Sequence, residues 1–176
     1  MSKDAILPVD EEITFLPGEI IVSKTDLQGR ILYANDIFCR MAELSTNQLI
    51  GQPHSIIRHP DMPRAIFKLL WDFLEQQKEV FAYVKNMSAS GKYYWVIAHV
   101  TPTVDGSGKT IGFHSNRRVP SKKGISGIEP IYQKLLAEER QHKNQKQGLK
   151  ASSSMLEKLL AGTGKSYAEF IWSIGE

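Results

Sequence analysis

The sequence predicts an α+β fold: a five-stranded antiparallel sheet with its helices on one face, followed by a helical extension. Two observations carry this. The apolar spacing changes from strand-like to helical and back to strand-like along residues 19–117. The last three strand-like runs are joined by glycine-containing turns of hairpin type.

The elements follow in order. Residues 1–18 mix acids with Pro8 and Pro17 and read as an extended lead-in. Glu19–Asp26 is β-branched and strand-forming, Leu27–Arg30 is a turn, and Ile31–Ala34 is the antiparallel partner. Asn35 and Asp36 supply polar caps for a short helix bearing Ile37, Phe38, Met41 and Leu44. A second short helix opens at Ser45 and stops at Gly51 and Pro53. After Pro63, the residues Ile66, Phe67, Leu70, Trp71 and Leu74 recur at the spacing of one buried helical face. Strands are then expected at Glu79–Met87, Lys92–Thr101 and Thr110–Arg117. From about Gly124 the pattern is helical, with Ile128, Ile131, Tyr132, Leu135 and Leu136 on one stripe. Arg140–Lys150 reads as a solvated helix end or linker. Two short helices are expected beyond it, with capping boxes at Ser154/Glu157 and Ser166/Glu169.

Composition excludes several classes. The 176 residues are 41% hydrophobic and 23% charged, as in an ordinary globular protein. A net charge of +3 is too small to imply nucleic acid, and the basic residues of 117–150 are diluted by Glu129, Glu138 and Glu139. Cys39 is the single cysteine, which excludes an intrachain disulfide framework and reads as a small buried side chain. The start resembles no signal peptide, and no apolar run approaches the roughly 20 residues that span a bilayer. The expectation is a cytoplasmic protein without direct membrane insertion. No Ser-His-Asp or Cys-His arrangement and no catalytic carboxylate pair is evident, so an enzyme is not expected.

The segment Arg58-His59-Pro60-Asp61-Met62-Pro63 packs a fixed cation, an imidazole and a carboxylate between two helices. Its prolines are expected to hold the backbone extended and aim the polar heads at an anionic or heterocyclic ligand. The bland alternative is a charged surface loop. This segment, preceded by Gly51-Gln52-Pro53-His54 and followed by Phe67, Trp71, Val84-Lys85-Asn86 and Tyr94-Trp95-Val96, closely resembles the sensory PAS domain of bacterial aerotaxis receptors. The likeness runs from about Ile20 to Leu136.

The resemblance implies a PAS fold over residues 19–120; the residue pattern adds a helix and linker over 121–150 and a short helical hairpin over 151–176, where the likeness ends. The resemblance also implies a redox sensor holding FAD non-covalently. It carries the cofactor roles onto Asn35, Arg58, His59, Asp61, Trp71 and Asn86. Phe67, Tyr83 and Ile97 are expected to join Trp71 as walls, although Trp71 at helical spacing would be core in any protein. A tryptophan common ahead of the Val84-Lys85-Asn86 strand is absent, as are the membrane anchor and signalling hairpin of full receptors. Signalling through a chemoreceptor-like or other partner protein is therefore expected, with a homodimer also open. The leucine- and aromatic-rich terminal hairpin either folds back on the PAS domain or docks on a partner chain, including a second copy, and docking on a partner is the favoured expectation. The alternative reading is a ligand-free or haem-binding PAS interaction module, with His99 and His114 as the histidines able to reach a metal or haem iron.

Overall fold

The computed structural model describes residues 6–176. Five strands form one antiparallel sheet: β1 (Ile21–Thr25), β2 (Ile31–Ala34), β3 (Val80–Met87), β4 (Tyr93–Val104) and β5 (Thr110–Arg118). Their order is β2-β1-β5-β4-β3. The last strand, β5, is therefore central and lies beside the first, with Ser23 opposite Ser115.

Between β2 and β3 lie α1 (Asp36–Ala42), α2 (Thr46–Leu49), a 3-10 turn at His54–Ile57, and α3 (Arg64–Glu75). Their boundaries follow local chemistry. Asn35 caps α1 by accepting the Phe38 N–H, and Ser45 with Gln48 forms a capping box on α2. The expected amphipathic face of α3 is buried at Ala65, Ile66, Leu70 and Leu74. These helices cover the sheet face that carries Ser23, Val84, Asn86, Ala98, Ser115 and Arg117.

The lead-in is extended, as expected, and pairs with the chain. Glu12 makes a parallel bridge to Tyr93, and Phe15 is buried. Cys39 departs from expectation: it is only partly buried, 3.5 Å from the Thr46 hydroxyl.

Beyond the sheet run α4 (Lys122–Gln141), α5 (Gln145–Thr163) and α6 (Tyr167–Gly175). The expected helix start at Ser154 is wrong, because Ser154 lies inside α5. Asn144 caps that helix instead, accepting from the N–H groups of Lys146 and Gln147. The lysine- and glutamine-rich stretch is thus mostly helix, and small Gly148 and Ser152 form its buried side. The second capping box, Ser166 with Glu169, is present.

The terminal hairpin also corrects its expected role. It packs on its own domain: Leu156, Phe170 and Ile171 belong to the same buried core as Ile21 and Phe38. Trp172 stays half-exposed, its ring 4.9 Å from that of Phe81. The docking follows from the exposed edge that β3 would otherwise present. The Tyr132 hydroxyl donates to the Tyr83 carbonyl at 2.6 Å, so a helix side chain pairs a strand edge group.

Candidate functional site

Between α3 and the sheet lies a cleft of about 310 Å³. Its apolar walls come from Phe67, Leu70, Trp71 and Leu74 of α3 and from Val84, Ala98, Val100 and Phe113 of the strands. Trp71 is 36% exposed at the mouth, and its ring meets Phe113 edge-on at 5.2 Å. The polar lining includes Ser23, Thr25, Gln28, His54, Arg58, Asn86 and Arg117, and among the described residues no carboxylate lines the cleft.

The sheet explains this composition. Alternate residues of a strand share a face, so Val84 and Asn86, Ala98 and Val100, and Phe113, Ser115 and Arg117 all point one way. Tyr83 and Ile97 were expected as walls. They pair with each other across β3 and β4 on the opposite face. His99 and His114 share that opposite face, which removes them from the cleft. His99 contacts Glu79 at 2.7 Å and stacks on Phe81. Among the described residues no cluster of three or more metal-ligating side chains occurs.

Arg58 enters the cleft because its backbone bridges to Asn86 at the β3 edge. Its guanidinium lies 3.6 Å from the Phe67 ring centroid, and its buried Nε has no hydrogen-bond partner. The next residues turn away. The segment is not extended through Pro60 as expected: His59 and Met62 close a tight turn by a 3.0 Å backbone bond. The buried His59 ring accepts the Asp61 N–H at Nδ1, and Asp61 is exposed with its carboxylate 3.3 Å from Lys85 Nζ. Both lie outside the cleft.

Arg117 is 2% exposed. One nitrogen donates to Ser23 Oγ at 2.5 Å and another lies 3.3 Å from His54 Nε2, while the Phe38 ring sits 4.4 Å away. Its Nε is buried without a partner. Because a guanidinium only donates, His54 Nε2 is an acceptor and the imidazole is neutral with its proton on Nδ1. Burial, and then the charge of Arg117, hold the His54 pKa down to about 3. Burial also lowers Arg117 to about 10. Two cations with unspent donors and no acid facing them make a receptor for a flat, electron-rich or anionic group.

Of the residues singled out from sequence, Arg58, Phe67, Trp71 and Asn86 line the cleft. Asn35 does not. Its Oδ1 accepts from Val22 and Phe38 N–H groups, and its amide donates to the Ile20 carbonyl, so it ties β1 to α1. Arg117 and His54 were missed as site residues. The period-two spacing of Phe113, Ser115 and Arg117 was the available signal.

A five-stranded antiparallel sheet in this order, with short helices and one longer helix over one face, defines the PAS fold. Residues 31–117 match the family described as the PAS fold, and the chain contains a PAS domain. It is similar to the aerotaxis receptor of Escherichia coli (strain K12), with 39% identity over 66% of this chain and 23% of that one. It is also 30% identical to the nitrogen fixation regulatory protein of Klebsiella oxytoca, over 52% of this chain and 19% of that one. The chain thus spans a quarter or less of the length of these relatives. Among solved structures, the PAS domain of a Colwellia psychrerythraea protein aligns with a TM-score of 0.52 at 23% identity, covering 57% of this chain and 86% of that one. No helix among the described residues is long and apolar enough to cross a membrane.

Proposed function

We propose that this PAS domain binds FAD non-covalently in the cleft between α3 and the sheet, and reports redox state to a partner signalling protein such as a chemoreceptor. The observation that carries the reading is the acid-free cleft with two arginines whose buried Nε atoms lack partners. An isoalloxazine is a flat apolar body edged with carbonyls and ring nitrogens. The cleft volume suits one such ring system, so the rest of FAD would extend beyond it.

A bound flavin supplies reversible electron uptake coupled to a change in ring charge. Arg58 and Arg117 provide the positive potential that such a change would alter. Asn86 offers a donor and an acceptor to an imide-like edge. Trp71 and Phe113 restrict water at the mouth. Asn35, His59 and Asp61 serve the site indirectly: Asn35 through the β1–α1 junction, the other two by shaping the turn that delivers Arg58.

The test is flavin retention on purification, with the extracted cofactor identified by mass. Asn86→Ala is expected to keep its fold and lose most of its FAD, since an unpaired buried flavin group costs about 1–3 kcal/mol. Arg58→Ala is expected to act similarly, with the remaining binding less sensitive to salt because a charge contact is lost. Wild-type flavin content in N86A would place the cofactor elsewhere.

A further inference from the structure

The first turn of a helix leaves backbone N–H groups unpaired. Helix α3 begins after Pro63, which offers no side-chain acceptor. The acceptor comes from α4. Glu139 takes the N–H of Arg64 at 3.1 Å and of Ala65 at 3.0 Å. The same carboxylate accepts Arg64 Nε at 3.3 Å and the Ser152 hydroxyl of α5 at 2.9 Å. It is 5% exposed. A Cβ at Gly148 would fall 2.7 Å from the Glu139 carbonyl oxygen, so glycine is what lets α5 approach this closely.

All four partners are donors, and only a group with two acceptor oxygens satisfies them. A carboxylate at a helix start is also favoured by the helix dipole. Helix α3 is the cleft wall through Phe67, Leu70, Trp71 and Leu74. A single buried side chain therefore joins the wall of the cleft to both long terminal helices.

We propose that Glu139 is the joint that couples ligand occupancy of the cleft to docking of α5. Ordering α3 around a ligand strengthens the Glu139 contacts and holds α5 in place. Undocking α5 removes the Ser152 contact and loosens the start of α3. The coupling is reciprocal, as linkage between two sites requires. Glu139 is a positioning residue in this account, and the account rests on the flavin reading only for the identity of the ligand.

The test is amide hydrogen exchange of the full chain as wild type, Glu139→Gln and Ser152→Ala, with and without added FAD. In E139Q an amide NH₂ faces donors. Exchange is expected to rise by about tenfold or more at the start of α3 and across α5, with β1 and β2 unchanged. FAD is expected to protect both α3 and α5 in the wild type, and α3 alone in E139Q and S152A. Equal FAD protection of α5 in wild type and both variants would overturn the joint. So would E139Q acceleration confined to α4 and α5, or spread evenly over the sheet. Should FAD protect neither helix in the wild type, the flavin reading fails; paired acceleration of α3 and α5 in E139Q then still supports the joint. S152A keeps the test open if E139Q does not fold.

Discussion

Among the described residues no carboxylate pairs with the buried cation Arg117, and such a charge costs the empty protein stability. Arg117→Met is expected to stabilise the flavin-free chain by about 1–3 kcal/mol in urea denaturation. The same variant should weaken FAD binding at least about tenfold by titration, since each lost charged hydrogen bond is worth about 1.5–3 kcal/mol. A loss of stability without change in affinity would make Arg117 a structural residue. His54 gives a pH signature. Its folded pKa, about 3, lies below the ordinary 6.5, so the unfolded chain takes up the proton first. Its contribution is present above pH 6.5 and is lost as pH falls toward 3. The slope should approach 1.4 kcal/mol per pH unit at most, about one proton's worth. His54→Phe should flatten that part of the stability profile; an unchanged slope would mean His54 protonates freely in the fold. Arg58, Trp71 and Asn86 were legible in the sequence because they sit in marked motifs beside clear helices. Arg117 was not, and His54, although inside the Gly51–His54 motif, was given no role. The strand Thr110–Arg118 carries polar residues on both faces, and only its register against β1 and β4 decides which face meets the cleft.

At the scale of elements, the sheet and α1 to α3 could be read from periodicity and caps, although β4 runs past the expected Thr101 to Val104 and α1 stops at Ala42, before Leu44. The packing of the terminal helices could not, because it is decided by small residues that carry no apolar signal. Gly124 in α4 sits against the buried Tyr83 ring, where a Cβ would lie 2.3 Å from the hydroxyl and 2.6 Å from ring carbons. Gly127 likewise faces Ile174 of α6. Glycine inside an exposed helix costs roughly 1 kcal/mol relative to alanine, so Gly124→Ala would ordinarily stabilise. Here it is expected to destabilise by about 1–3 kcal/mol, because the buried ring cannot retreat without losing its packing. Thermal unfolding checks this, and a rise in melting temperature would show that α4 rides loosely on β3. The same small-residue logic explains the misread start of α5. Ser154 and Glu157 have capping spacing but lie inside α5, whose first turn Asn144 already satisfies.

Across the whole molecule, one face of the sheet is given to the cleft, and the terminal helices close the β3 edge. A change in charge within the cleft meets α3 on one side and the central strands on the other. Through α3 it reaches the outermost layer of the fold. This arrangement suits a sensor whose output is a shift between two packings, and it assigns the apolar terminal hairpin to the domain's own core. The account depends first on a flavin occupying the cleft. The most direct measurement is the visible absorption spectrum of the purified wild-type chain before and after dithionite. Flavin bands that bleach on reduction and return in air are the predicted result. A colourless protein that takes up no added FAD, or one showing a haem Soret band, would contradict it.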